Sequence, residues 1–114
     1  MAQGNLGEAR GLFAESLGIR REVGDRIGIA HCLAGLGGVA WLQAQPERAA
    51  RVLGAAEALL EALGARLDVN ERDLYDRTVA ALRGHFDAGR FAAAWAAGQA
   101  LPLEAAIAKA LETE

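Results

Sequence analysis

The chain has 114 residues, a net charge of −3, 53% hydrophobic residues and 5% aromatics. That is enough for one modest core, too apolar for disorder, and too short for a two-lobed enzyme with a cleft between domains. Its apolar content is mostly Ala and Leu, with little Val, Ile or Thr to build strands, and its acidic balance lacks the basic footprint of a nucleic-acid-binding domain.

Gly4-Asn5 opens the first element. Leu6, Ala9, Phe13 and Leu17 follow at helical spacing and predict a helix over 5–22 with one apolar stripe. Gly24-Asp25 breaks it, and Asp25 is placed to cap the next helix. That second helix is expected over 26–44, with Leu33, Leu36 and Ala40 on its first stripe and Gly35, Gly37 and Gly38 inside it. Each glycine costs about 1 kcal/mol of helix propensity against alanine, a cost accepted where another backbone must come close. Pro46 suits the first turn of a third helix, 46–63, whose Ala49, Leu53, Ala56, Leu60 and Leu63 give the clearest amphipathic pattern in the chain.

Gly64 stops that helix, and 64–69 reads as a loop. Asn70 with Asp73 three residues on suggests a capping box for a fourth helix, 71–86, striped by Tyr75, Val79, Leu82 and Phe86. Asp87 can cap a fifth, 88–100, with Phe91, Trp95 and Gly98 on one face. Pro102 opens a short sixth, with Leu103, Ile107 and Ala110 pointing one way. Glu47–Arg51 and Asp73–Arg77 sit at the i,i+4 spacing that supports exposed helices. The pattern predicts an all-α chain of antiparallel helical hairpins.

An internal repeat lies within this pattern. The run Ala9…Phe13…Ser16 aligns with Ala49…Leu53…Ala56, about 40 residues further on, small–large–small in both copies. With Leu33, Leu36-Gly37 and Ala40 upstream of the second copy, the segment resembles the tetratricopeptide helix–turn–helix repeat. The Trp and Tyr of that pattern are absent here, and the period exceeds the usual length of about 34 residues, which suggests a lengthened turn between repeats. The resemblance implies a right-handed array: a half repeat at 5–22, a full repeat at 26–63, and C-terminal capping helices over 70–113. The pattern Tyr75…Leu82…Phe86, followed by Phe91-Ala92-Ala93-Ala94-Trp95-Ala96-Ala97-Gly98-Gln99-Ala100-Leu101 and Leu103-Glu104-Ala105-Ala106-Ile107, is similar to the tail of large bacterial LuxR-type and related ATP-binding regulators. That likeness implies a regulatory scaffold and transfers no catalytic residue, since neither the GxxxxGK[ST] motif nor a helix-turn-helix lies in this chain.

Candidate sites are few. His31 and Cys32 are adjacent on a helix, so their side chains diverge by about 100°. Metal ligands want i,i+3 or i,i+4 spacing and three or four members, and His85 is the only other histidine. A Cys32–His85 nucleophilic pair has no orienting third group at a suggestive spacing, so Cys32 reads as a small apolar filler. Glu57 and Glu61 read as a solvated face rather than an acid/base pair. No metal, cofactor or catalytic residue is expected, and the chain is not expected to be an enzyme.

His31, Ala34, Gly38, Trp41 and Leu42 form a second face of the 26–44 helix. Small residues around one large aromatic suit a groove for a partner helix, a peptide or a small effector. Trp41 alternatively packs beneath the C-terminal helices of the same chain. Leu6, Phe13 and Leu17 are expected to be half covered, because the first helix lacks a partner ahead of it, and such a patch favours a protein partner or a two-fold homodimer. The lone Cys32 fits a reducing compartment, which makes cytoplasm the expected location. No run of about 18 apolar residues suggests a membrane span. The opening Met1-Ala2-Gln3 suits a piece of something larger.

Overall fold

The computed structural model describes residues 3–112. Met1 and Ala2, where the chain opens, and Thr113, the last residue assigned to the cap, lie outside the described residues. Six helices follow one another: α1 (Gln3–Val23), α2 (Arg26–Leu42), α3 (Pro46–Leu63), α4 (Val69–His85), α5 (Ala88–Gln99) and α6 (Leu103–Leu111). Among the described residues the fold is all-α, an array of helices joined by short turns.

Local chemistry sets the boundaries. The Asp25 side chain accepts the Gly28 amide at 2.9 Å and pairs with Arg20 at 2.7 Å. The Gly28 amide first, and Arg20 next, hold the Asp25 carboxyl below its usual range. Pro46 stands in the first turn of α3, and Gly64 ends that helix in the left-handed conformation at φ 63°. The capping box of α4 is Asp68 and Glu71, not Asn70 and Asp73: the Glu71 amide donates to Asp68 at 2.8 Å and the Asp68 amide to Glu71 at 3.3 Å. Glu reaches back to the cap amide one carbon further than Asp does, so the Asp-x-x-Glu run wins the boundary. Asp73 pairs instead with Arg77 at 2.7 Å. Asp68→Ala is expected to cost about 1 kcal/mol in urea unfolding, with the helicity loss confined to α4.

No lengthened turn accounts for the long repeat. Only Gly24-Asp25 separates α1 from α2, and only Gln43-Ala44-Gln45 separates α2 from α3. The extra residues lie inside the helices, which are 21, 17 and 18 residues long.

α3 is the hub. It pairs side by side with α2, where Leu53 covers the bare backbone of Gly37: Gly37 lies five residues before the end of α2 and Leu53 seven after the start of α3, as antiparallel register requires. It pairs with α5 on its other flank. Two apolar clusters fill the remaining sides. In one, Val52, Ala55 and Ala56 of α3 meet Ile29, Leu33 and Leu36 of α2, Leu17 of α1 and Ala106, Ile107 and Ala110 of α6. In the other, Ala50, Leu53 and Leu60 meet Tyr75 and Leu82 of α4 and Phe91 and Ala94 of α5. Thus α4 and α6 cover opposite sides of α3. The glycines of α2 admit side chains rather than a backbone: a Cβ at Gly35 would strike the Phe13 ring and one at Gly37 the Leu53 side chain. The close backbone crossing lies elsewhere, at Gly54 of α3 against Trp95 and Gly98 of α5 against Arg51.

Candidate interaction groove

A cavity of about 400 Å³ opens between α2 and α4. All five residues of the expected groove face, His31, Ala34, Gly38, Trp41 and Leu42, line it. Small side chains leave the α2 floor low, and a Cβ at Gly38 would meet nothing within 4 Å. Leu53 and Leu67, both buried, close the back.

The opposite wall comes from α4 and was not legible as part of the site. It contributes Glu71, Leu74, Tyr75 and Thr78, of which Tyr75 points its hydroxyl at the Leu53 carbonyl, 3.1 Å away. Burial first, and the neighbouring Glu57 carboxylate next, push the Tyr75 phenol up, so it remains a donor. The Thr78 hydroxyl donates to the Leu74 carbonyl at 3.0 Å. At one rim His31 Nδ1 lies 3.3 Å from the Glu71 carboxylate, joining α2 to the N-terminus of α4. Trp41 sits edge-on to His85 with ring centroids 5.7 Å apart, so it both packs against a C-terminal helix and lines the cavity. The only sequence signal for the α4 wall was Leu74 and Thr78 at i,i+4, beside the Tyr75 stripe.

Stacked antiparallel helices of this length, with an aromatic-edged groove along the middle one, call for comparison with known repeats. The tetratricopeptide repeat family matches residues 1–62, a span that covers more than half of the chain and takes in α1, α2 and nearly all of α3. This chain belongs to the tetratricopeptide repeat family. Comparison with curated proteins and with solved structures gives no match. Tetratricopeptide repeats generally mediate protein–protein interaction and are typically non-catalytic.

The other expected positions of this tetratricopeptide chain fall as follows. Leu17 is not on an open patch: it is fully buried in the cluster beneath α6. α6 folds back over α1, tied by Arg21 to Glu104 and by Arg10 to the Leu111 carbonyl, and that covers the Leu17 side of the helix. Leu6 and Phe13 are half-buried. The apolar residues that α1 leaves in the open are Leu12, Ile19 and Val23, at 68%, 56% and 72% exposure. Glu57 is not on a solvated face either; it is partly covered by α4 and lies 3.5 Å from Arg72, whereas Glu61 is exposed. Cys32 is buried, with its thiol 3.4 Å from the Ser16 hydroxyl, while His85 lies against Trp41 and Phe86. Phe91 stacks on Trp95 at 5.5 Å, inside the core that α5 builds on α3. Among the described residues no three His, Cys, Asp or Glu side chains could together hold a metal ion, and no helix is long and apolar enough to cross a membrane.

Proposed function

We propose that this chain is a regulatory protein-interaction scaffold, the closed C-terminal end of a tetratricopeptide array in a LuxR-type, ATP-binding transcriptional regulator of the cytoplasm. In this reading 5–22 is a half repeat, 26–63 a full repeat and 70–113 the cap. One observation carries it: the two ends of the array are finished differently. α3 is enclosed by α4, α5 and α6, which leave Val69, Leu74 and Leu111 exposed at separate points, whereas α1 leaves Leu12, Ile19 and Val23 uncovered along one face, seven and four residues apart. A repeat array needs a polar-faced cap where it stops and a bare apolar face where it continues or meets a partner.

The isolated chain is expected to use that bare face to form a two-fold dimer. Light scattering after size exclusion should give twice the mass of one chain at high protein concentration. The double variant Leu12→Glu/Ile19→Glu should return it to a monomer with unchanged helical circular dichroism. A wild-type monomer at every concentration overturns the open-face reading. A parental reading frame without an ATPase module overturns the regulator assignment.

A second reading is favoured by the cavity itself. A groove of about 400 Å³ falls within the range of ligand pockets, roughly 300–1,000 Å³. As an effector-sensing module the chain would hold a small molecule or peptide near His31 and Trp41, and occupancy would bias how α4 sits on α2.

A further inference from the structure

We infer that the α2–α4 cavity takes a neutral, largely apolar small molecule of two- or three-ring size, seated on Gly38 and flanked by Trp41. This rests on the effector-sensing reading above and names the ligand class. Three observations converge on it.

The first is unused space. Of the three glycines in the middle of α2, two are explained by the protein: Phe13 occupies the room beside Gly35 and Leu53 the room beside Gly37. Gly38 has no neighbour within 4 Å of where its Cβ would stand, yet it lines the cavity and weakens the helix as any internal glycine does. No atom of the chain uses the space it leaves.

The second is charge. The ionisable groups at the rim already face partners within the chain: His31 Nδ1 lies 3.3 Å from the Glu71 carboxylate, and Arg77 pairs with Asp73 at 2.7 Å. An anionic ligand would meet the Glu71 carboxylate and a cationic one the Arg77 guanidinium, with neither left free to compensate it. The third is hydrogen bonding. The Tyr75 and Thr78 hydroxyl hydrogens are committed to the Leu53 and Leu74 carbonyls. What remains is a mostly apolar lining, with Leu42 and Leu74 exposed at the mouth and His31 Nε2, buried without a hydrogen-bond partner, as a polar atom that one neutral hydrogen-bonding group of the ligand would meet. A ligand of this class removes that apolar surface from water without leaving a buried charge unpaired.

The test uses the whole chain and two fluorescent probes that share a ring system. N-phenyl-1-naphthylamine is neutral, and 8-anilino-1-naphthalenesulfonate adds a sulfonate. The neutral probe is expected to saturate a single site, with the sulfonate about tenfold weaker or worse. Gly38→Phe fills the floor and should weaken the neutral probe by about tenfold or more, with a midpoint of thermal unfolding at or above that of the parent chain. Leu74→Glu, on an exposed position at the rim, provides a second variant with the same expected loss should Gly38→Phe not fold. If the sulfonate binds as tightly and both variants remove it, the ligand class is overturned and the effector groove stands. If neither probe saturates, the groove reading falls as well. Neutral-probe binding indifferent to both variants places the site elsewhere and overturns the assignment.

Discussion

Gly98→Ala is expected to destabilise the chain by about 2–3 kcal/mol, although alanine is the better helix former by about 1 kcal/mol. The added Cβ would collide with the carbonyl oxygen of Arg51 and stand 2.7 Å from its carbonyl carbon and 2.8 Å from its Cα. These are backbone atoms of a helix, so no rotamer change relieves the contact, and α5 must lift away from α3. Gly54 makes the matching approach from α3, where a Cβ would lie 2.5 Å from the Trp95 carbonyl oxygen. Gly84 on α4 is the control, since nothing lies within 4 Å of its Cβ position. Gly84→Ala should gain up to about 1 kcal/mol. Urea unfolding of both variants checks the pair, and a neutral Gly98→Ala would falsify the tight α3–α5 crossing.

Leu17→Ala is expected to cost about 2–5 kcal/mol, the range for emptying a fully buried leucine site. Leu17 has 0% exposure and packs in the cluster shared by α1, α2, α3 and α6. Leu12→Ala, on the open side of the same helix, should stay within about 0.5 kcal/mol at protein concentrations low enough to keep the chain monomeric. Chemical denaturation of the two variants distinguishes the covered and uncovered faces of α1. Similar small losses at both positions would mean that α6 does not cover α1.

What could be read from the chain beforehand was whatever is decided within a turn or two. Asp25, Pro46 and Gly64 act on amides and dihedrals a few residues away, so α2 and α3 could be placed from spacing alone. The start of α4 was harder because two overlapping boxes compete there, and the longer reach of Glu71 decides between them. Coverage of a helix face is not local. The stripe through Leu6, Phe13 and Leu17 is visible in the sequence, but its cover is a nine-residue helix near the far end of the chain. The same holds for Gly54 and Gly98. Each stands in an Ala-rich run where one more small residue carries no signal, and each gains meaning only against the other. The groove divides along this line: its α2 half is one helix face and was legible, whereas Glu71, Leu74, Tyr75 and Thr78 arrive through the docking of α4.

The α3–α5 crossing also has a mechanical consequence. Where backbone rests on backbone there are no side chains to rearrange, so that joint transmits displacement without absorbing it. At the opposite margin, α1 meets α2 through the Phe13 ring and the aliphatic side chains around Leu17, which can shift rotamer by rotamer. The array is therefore stiff at its C-terminal margin and compliant at its N-terminal one, and a load applied at either margin would be taken up mostly between α1 and α2.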